Sequence, residues 1–294
     1  MADINKTNRE NKDARGKTIA ARTVAYIFLA LVTLLSLFPI LLLILNATHT
    51  NNELQSGFKA LPGTAFIQNL VTAWNDTALF TLPRSMLNSF IIAASSCILT
   101  SYFSAMTAYG IHVYDFKMKK FAFNFIMIIM TIPTQVSAVG FVQLVGKFNM
   151  TNTYWPLIIP AIAAPAVFFY MKQYIESTLP MEVVEAARVD GSNEFRTFNS
   201  IALPMLKPAI AVQMIFAFVS SWNNFFTPAL VLSKSEMWTL PIVNATIRAK
   251  IQSQNCDIGE VYMMILLSII PVVIVYIALS KHIVQGVALG AVKG

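Results

Sequence analysis

The chain has 294 residues, of which 56% are hydrophobic and 12% are charged, and its formal net charge is +7. The charged fraction is about half that of ordinary soluble domains, so it excludes a water-soluble globular protein of this length. Basic chains often bind nucleic acid, but here the Lys and Arg residues lie between long apolar runs, as they do in the cytoplasmic loops of membrane proteins. We therefore predict an integral membrane protein and no nucleic-acid partner.

Six apolar runs are long enough, or nearly so, to cross a bilayer. A helix rises about 1.5 Å per residue and the hydrocarbon layer is about 30 Å thick, so a span needs about 20 residues. The sequence therefore predicts an all-α polytopic membrane protein with about six transmembrane helices. The predicted spans are Thr23–Leu45, Met86–Tyr109, Phe121–Gly146, Trp155–Met171, Ala209–Leu232 and Val261–Ser280, with Pro133, Pro160, Pro165 and Pro271 inside or near them.

The distribution of basic residues predicts the orientation. With the N-terminus inside, fifteen Lys and Arg residues lie on the cytoplasmic side and six on the other, as the positive-inside rule requires. We expect both termini in the cytoplasm and a disordered or surface-lying N-terminal tail. The predicted divisions are a tail (1–21), a first span with an extracytoplasmic loop (22–85), a transmembrane core (86–281) and a C-terminal tail (282–294).

The cytoplasmic segment 179–208 begins with a short charged helix. Pro180 suits a first helical position, the helix dipole favours early acidic residues, and Gly191 can adopt the left-handed conformation that ends a helix. We predict a helix of about ten residues that is too short to span. Val183, Ala186 and Ala187 follow i, i+3, i+4 spacing, so they would form a low apolar ridge that fits a groove of another protein. An amphipathic helix resting on the membrane surface remains the alternative.

The residues of this segment resemble the EAA loop of bacterial ABC-importer permeases. The matching positions are Glu185-Ala186-Ala187, Asp190-Gly191, Phe198, Ile201, Leu203-Pro204 and Pro208. Further similar stretches are Asn88-Ser89, Ala108-Tyr109-Gly110, Pro133-Thr134-Gln135, Asn152-Thr153-Tyr154-Trp155, Trp222-Asn223-Asn224-Phe225 and Gly290-Ala291-Val292-Lys293-Gly294. Together, over Thr23 to Gly294, they resemble the carbohydrate importers, specifically the six-span partner of the maltose-type heterodimer.

This resemblance implies a permease subunit in the cytoplasmic membrane of a bacterium or archaeon, which is not an enzyme and which imports a sugar or oligosaccharide by alternating access. It also implies four kinds of partner: cytoplasmic ABC ATPase subunits that bind ATP and Mg, a second homologous permease, an extracytoplasmic solute-binding protein and membrane lipids. No cofactor is expected on this chain. The helix of the EAA loop would be a coupling helix that docks into the ATPase, with contacts from Glu182, Val183, Glu185, Ala186, Ala187, Asp190, Gly191, Leu203 and Pro204.

An uncharged, hydroxyl-rich substrate needs amide and aromatic partners within the bilayer, and two predicted spans offer them. The candidates are Gln135, Ser221, Trp222, Asn223 and Asn224. Buried amides are costly in hydrocarbon unless they face protein, water or ligand. Packing between helices is the alternative, because Ser, Thr and Asn commonly hydrogen-bond there.

Two other classes of membrane protein explain the sequence less well. Ion-coupled secondary transporters usually place ionisable residues within their spans, and the six apolar cores contain none. A purely structural membrane protein would not explain the short helix ended by Gly191. The stretch Gly140–Lys147 superficially resembles a phosphate loop, but its spacing is wrong and no Ser or Thr follows the Lys. No catalytic residue or metal-ligand spacing is predicted.

Overall fold

The computed structural model of the protein describes residues 2–75, 81–252 and 257–291, and these residues form helices joined by irregular segments. This confirms the all-α prediction. The α-helices are α1 (Ala2–Asn46), α2 (Asn51–Gln55), α3 (Phe66–Asn75), α4 (Leu82–Val113), α5 (Lys119–Met130), α6 (Ala138–Lys147), α7 (Trp155–Ile158), α8 (Pro165–Thr178), α9 (Met181–Val189), α10 (Glu194–Thr197), α11 (Leu203–Met205), α12 (Lys207–Trp222), α13 (Phe226–Val231), α14 (Leu240–Gln252) and α15 (Ile258–Ala291).

The chain divides into two compact units. The first comprises Met1–Leu70 and Asp257–Leu266, and the second comprises Val71–Cys256 and Leu267–Gly294. In the first unit, the side-chain amide of Asn69 donates to the carbonyls of Ala47 and His49, both at 2.9 Å. A Cβ at Gly259 would overlap the His49 carbonyl oxygen, so this close approach of two backbone segments requires glycine.

Four of the predicted spans are helices long and apolar enough to cross a membrane. Among the described residues these are Ala21–Asn46, Leu82–Val113, Trp155–Thr178 and Ile258–Ala278. The third contains a 3₁₀ turn at Ile159–Ile162, which precedes Pro165. Each span extends beyond the predicted boundary at one or both of its ends.

The predicted span Phe121–Gly146 is not one continuous helix. It forms α5 and α6, which are separated by an irregular segment at residues 131–137. Pro133 lies in this segment, and proline cannot donate a backbone hydrogen bond within a helix. The sequence displayed this proline within the run, so the interruption follows from local chemistry.

The predicted span Ala209–Leu232 is also interrupted. It consists of α12 and α13, with Asn223 to Phe225 between them. Before it, the helical segments Glu194–Met205 and Lys207–Trp222 meet at an angle of 81°. A sharp bend is expected there because Pro208 lacks the N–H that a continuous helix would require and its ring crowds the preceding turn.

Both predicted tails are helical as far as the structure describes them. Residues 2–21 continue into the first span as part of α1, so this tail is helical rather than disordered. Its place at the membrane surface stays a prediction. At the other end, α15 continues to Ala291, while Val292, Lys293 and Gly294 lie outside the described residues.

Helices α4, α8 and α12 form the centre of the second unit. Phe90 on α4 packs edge-to-face against Phe218 on α12, with ring centroids 6.2 Å apart. The small and polar face of α4 also supports neighbouring irregular backbone. The Thr100 hydroxyl donates to the Ala161 carbonyl at 2.8 Å, and the Ser89 hydroxyl accepts from the Leu240 N–H at 2.8 Å. Such bonds allow interrupted helices to exist at membrane depth, where water cannot satisfy the backbone.

Candidate functional site

The short helix of the EAA loop is α9, and its two ends have defined caps. Pro180 has an extended backbone and is the N-cap. The sequence predicted it as the first helical residue, so the helix begins one position later than predicted. At the other end Gly191 has φ of +77°. The Gly191 N–H donates to the Arg188 carbonyl at 3.0 Å and the Ser192 N–H to the Ala187 carbonyl at 2.9 Å. This pair of bonds is the Schellman motif, so the predicted glycine termination is confirmed.

The predicted apolar ridge of α9 does not lie on its exposed face. The Ala187 side chain is only 5% exposed and packs inside the chain together with Val184, while Val183 is half-buried against the same core. Ala186 alone of the three ridge residues is exposed. The error has a simple reason: i, i+3, i+4 spacing identifies residues that share a face but does not say which neighbour that face meets.

The face that α9 exposes is more acidic than the ridge. Its residues follow i, i+3, i+4, i+7 spacing, so they lie on one side of the helix: Glu182, Glu185, Ala186 and Val189. The Val189 side chain is 87% exposed. After the helix, Asp190 is exposed at the C-cap, Leu203 is half-buried against the core and Pro204 is exposed.

A cluster of hydrogen-bonded side chains connects the end of α9 to α4. The Arg188 Nε donates to Glu194 Oε1 at 2.8 Å, and the Tyr109 hydroxyl donates to Glu194 Oε2 at 3.1 Å. The Tyr109 ring packs against Phe198 at 5.4 Å, and the Arg188 guanidinium lies over the Tyr114 ring at 5.9 Å. We call Arg188, Glu194 and Tyr109 the clamp. The hydrogen bond from Arg188 lowers the pKa of the Glu194 carboxyl, which keeps the acceptor charged.

Two further contacts attach the EAA loop to α4. The ring of His112 is 3.0 Å from the Leu179 carbonyl, measured from Nε2. The Tyr102 hydroxyl donates to Asn199 Oδ1 at 3.2 Å. Leu179 and Val184 are buried in one hydrophobic cluster together with residues of α4 and α8. The loop is therefore packed and hydrogen-bonded to the second span along several turns, and we expect the two to move together.

A cavity of about 1080 Å³ lies within the second unit, lined by residues of α4, α8, α12 and the interrupted segments. This volume is slightly above the usual range for small-molecule sites. Most of its lining is apolar, and its polar members carry hydroxyls or amides. They are Ser89, Ser96, Thr100, Thr134, Ser137, Tyr170, Gln213, Ser220, Ser221, Asn224, Thr227 and Thr239.

The predicted pathway residues divide into two groups. Ser221 and Asn224 line the cavity, but Trp222, Asn223 and Gln135 do not. Trp222 is 3% exposed, and its indole N–H donates to the Ser268 carbonyl at 3.2 Å, so it is a packing residue. Asn223 turns back to donate to the Val219 carbonyl at 3.0 Å, and Gln135 is exposed in the segment that interrupts the third predicted span. Consecutive polar residues point in different directions around a helix.

The sequence analysis missed the clamp and most of the polar cavity wall. A periodic signal exists on α4, where Ser89, Ser96 and Thr100 lie at intervals of seven and four residues on one helical face. Gln213 is a lone polar residue within an apolar run, and the sequence does not show which way it faces. In the described part of the chain, no group of three His, Cys, Asp or Glu residues could hold a metal ion.

Known proteins resemble this chain over nearly its whole length. The permease protein AraQ of the arabinooligosaccharides transport system of Halalkalibacterium halodurans is 34% identical over 92% of this chain and 95% of its own. The permease protein UgpE of the sn-glycerol-3-phosphate transport system of Salmonella typhi is 29% identical over 94% of this chain and 97% of its own length. A crystal structure of a bacterial ABC transporter involved in the import of the acidic polysaccharide alginate superposes with a TM-score of 0.75 at 20% identity, covering 88% of this chain and 94% of that chain.

Residues 98–289 match the family described as binding-protein-dependent transport system inner membrane component. That range covers α9, the clamp residues and most of the cavity wall. The chain is a permease subunit of an ABC importer rather than an enzyme, and it crosses the membrane several times. Membership implies that it acts with a binding protein and an ATPase. The combination of family profile, full-length relatives and shared fold leads to one conclusion: the chain belongs to the binding-protein-dependent transport system inner membrane components.

Proposed function

We propose that this permease imports an uncharged oligosaccharide and forms the translocation path together with a second, homologous permease. Cytoplasmic ATPase subunits that bind ATP and Mg drive it through α9. An extracytoplasmic binding protein delivers the sugar. Lipid covers the apolar surfaces that remain exposed, such as the outward side chains of residues 24–41 in α1.

One observation carries this proposal: a single continuous helix connects the EAA loop to the cavity. Tyr109, the clamp residue near one end of α4, donates to Glu194, while Ser89, Ser96 and Thr100 along the same helix line the cavity. A helix of 32 residues with its proline confined to the first turn is a stiff element. A displacement of α9 by the ATPase would therefore reach the cavity wall directly.

The chemistry of the cavity favours a neutral substrate. Among the described residues that line it, none is Asp, Glu, Lys or Arg. Arg and Lys commonly recognise phosphate and carboxylate groups through charge-assisted hydrogen bonds, whereas hydroxyls and amides match the hydroxyls of a sugar. This chain therefore fits an oligosaccharide such as the named cargo of AraQ better than glycerol 3-phosphate or alginate.

The exposed surface of the EAA loop supports docking to the ATPase. Val189 is 87% exposed and Phe195 is 69% exposed. Exposed apolar side chains rimmed by polar residues are typical of a protein interface. Glu182 and Glu185 would then pair with basic groups of the ATPase, and Ala186, Asp190, Gly191, Leu203 and Pro204 would shape the surrounding contact. Val183 and Ala187 would support α9 from its buried side.

Reconstitution with defined cargo tests the substrate class. The permease would be purified with its second permease and ATPase, placed in vesicles with the binding protein, and assayed with arabinotriose, lactose and glycerol 3-phosphate. We expect ATP-dependent uptake of a neutral sugar and none of glycerol 3-phosphate. Uptake of glycerol 3-phosphate alone would contradict the neutral-substrate proposal, and uptake without the ATPase would contradict the whole mechanism.

Cysteine accessibility tests the proposed orientation. Asn193 and Ser235 are exposed and lie on opposite sides of the predicted spans, so single cysteines would be introduced there in a background without Cys97 and Cys256. We expect an impermeant thiol reagent to label Ser235→Cys in intact cells and to label Asn193→Cys only after the cells are opened. The reverse pattern would show the opposite orientation.

A further inference from the structure

The Gln213 side chain is buried in the second unit without a hydrogen-bond partner in the described part of the chain. It is 8% exposed, and the surface it retains faces the cavity. The Thr239 hydroxyl, on another part of the wall, also lacks a partner there and is 3% exposed. The Gln213 amide keeps access to the cavity, where it can bond water or a ligand. The Thr239 hydroxyl is enclosed without a partner, and burying a hydroxyl in this way is destabilising. This part of the cavity wall therefore offers unused hydrogen-bonding groups.

The position of Gln213 differs from that of the polar residues predicted from the sequence. Gln213 lies six residues after the start of α12 at Lys207, so it is about 9 Å along that helix from the end that follows the EAA loop. Ser221 lies eight residues further along the same helix, about 12 Å away. Seven residues complete almost two helical turns, so Gln213 and Ser220 lie on nearly the same face, and Ser220 also lines the cavity. Ala217, between them, also lines the cavity.

The register of α12 against α4 places other polar groups at the same level. The Phe90–Phe218 contact aligns the two helices. Phe90 on α4 lies against Phe218, whereas Tyr102, further along α4, lies against Phe198, which precedes α12. The two helices therefore run antiparallel, and Gln213 lies near the level of residues 95 and 96. Ser96 lines the cavity, and its hydroxyl makes only a long bond of 3.4 Å to the Leu157 carbonyl. The cavity thus has a second polar level between the Ser221 level and the EAA loop.

We propose that Gln213 is a substrate contact at this second level, where its amide hydrogen-bonds a hydroxyl of the sugar on the side of the cavity nearer the EAA loop. The inference rests on the proposed function, because it requires a hydroxyl-rich cargo in this cavity. An amide both donates and accepts, so it can bond a hydroxyl in either orientation. Gln213 would therefore influence which sugars are transported.

The test uses the reconstituted complex. The panel of substrates is arabinotriose, lactose and glycerol 3-phosphate, and each variant is assayed with the member that the wild type imports. The variant Gln213→Leu removes the amide with little change of volume, and Gln213→Glu keeps the shape but changes the charge. The control is Gln143→Leu on α6, which removes an exposed glutamine that does not line the cavity. We expect the apparent KM for uptake to rise about fivefold or more in Gln213→Leu, with unchanged KM and unchanged basal ATPase activity in the Gln143→Leu control.

The outcomes separate this inference from the proposed function. If the wild-type complex imports a sugar and both Gln213 variants keep its KM, the inference is wrong and the proposed function stands. If both variants fail to assemble with the second permease while Gln143→Leu assembles, Gln213 is a packing residue and the inference is also wrong. If the wild type imports no sugar of the panel, the proposed function fails and the inference fails with it. A raised KM in either assembled variant supports the contact.

Discussion

The clamp between α9 and α4 leads to a specific prediction about coupling. Tyr109→Phe removes the hydroxyl that donates to Glu194 Oε2 at 3.1 Å but keeps the ring that packs on Phe198. Hydrogen bonds to charged groups contribute about 1.5–3 kcal/mol when they are well buried. The Glu194 side chain is 40% exposed, so we expect about 1–2 kcal/mol here.

A loss of this size changes an equilibrium constant by about 5- to 30-fold. We therefore expect α9 to separate more readily from α4, so that the ATPase turns over without moving the cavity wall. The assay is the ratio of sugar uptake to ATP hydrolysis in reconstituted vesicles. We expect this ratio to fall about fivefold or more in Tyr109→Phe, while the complex still assembles.

A matched control is Tyr276→Phe, which removes the hydroxyl of an exposed tyrosine on α15. We expect this variant to behave as the wild type does. If Tyr109→Phe and Tyr276→Phe gave the same ratio as the wild type, the clamp would not transmit the motion of α9. A loss of expression in Tyr109→Phe alone would instead assign Tyr109 to folding, and the coupling argument would again be refuted.

Two further predictions concern α9 and its end. Gly191→Ala places a side chain at φ of +77° in otherwise open space, so we expect a purely conformational loss of about 1 kcal/mol in the free energy of unfolding, together with reduced uptake. The control Gly110→Ala, at a helical position of α4, should be neutral or stabilising. Equal effects of the two substitutions would contradict the capping argument. Ala186→Leu, on the exposed face of α9, should weaken copurification of the ATPase without lowering thermal stability. Ala187→Leu, on the buried face, should destabilise the chain by about 1–3 kcal/mol. The opposite pattern would show that Ala187 rather than Ala186 meets the ATPase.

The short helix of the EAA loop could be predicted from the sequence because the residues that begin and end it are close to it in the chain. The capping preferences of Pro180 and Gly191 and the early acidic residues define a short helix within about one turn of each end. The spans were predicted for a similar reason, since length and hydrophobicity alone decide whether a helix can cross a bilayer. Pro133 was visible in the sequence, but one span was predicted across it, and only the structure established that the chain separates into α5 and α6 there.

The sequence by itself determined the class of protein, the approximate spans, the family resemblance and the position of α9, because each depends on neighbouring residues in the chain. Only the tertiary structure decided which side of each helix meets which neighbour. It buried Ala187 and Trp222, turned Gln213 towards the cavity, and brought Tyr109 to Glu194 across 85 residues of chain. Helical periodicity shows which residues share a face, but the partner of that face depends on packing between segments that are distant in sequence.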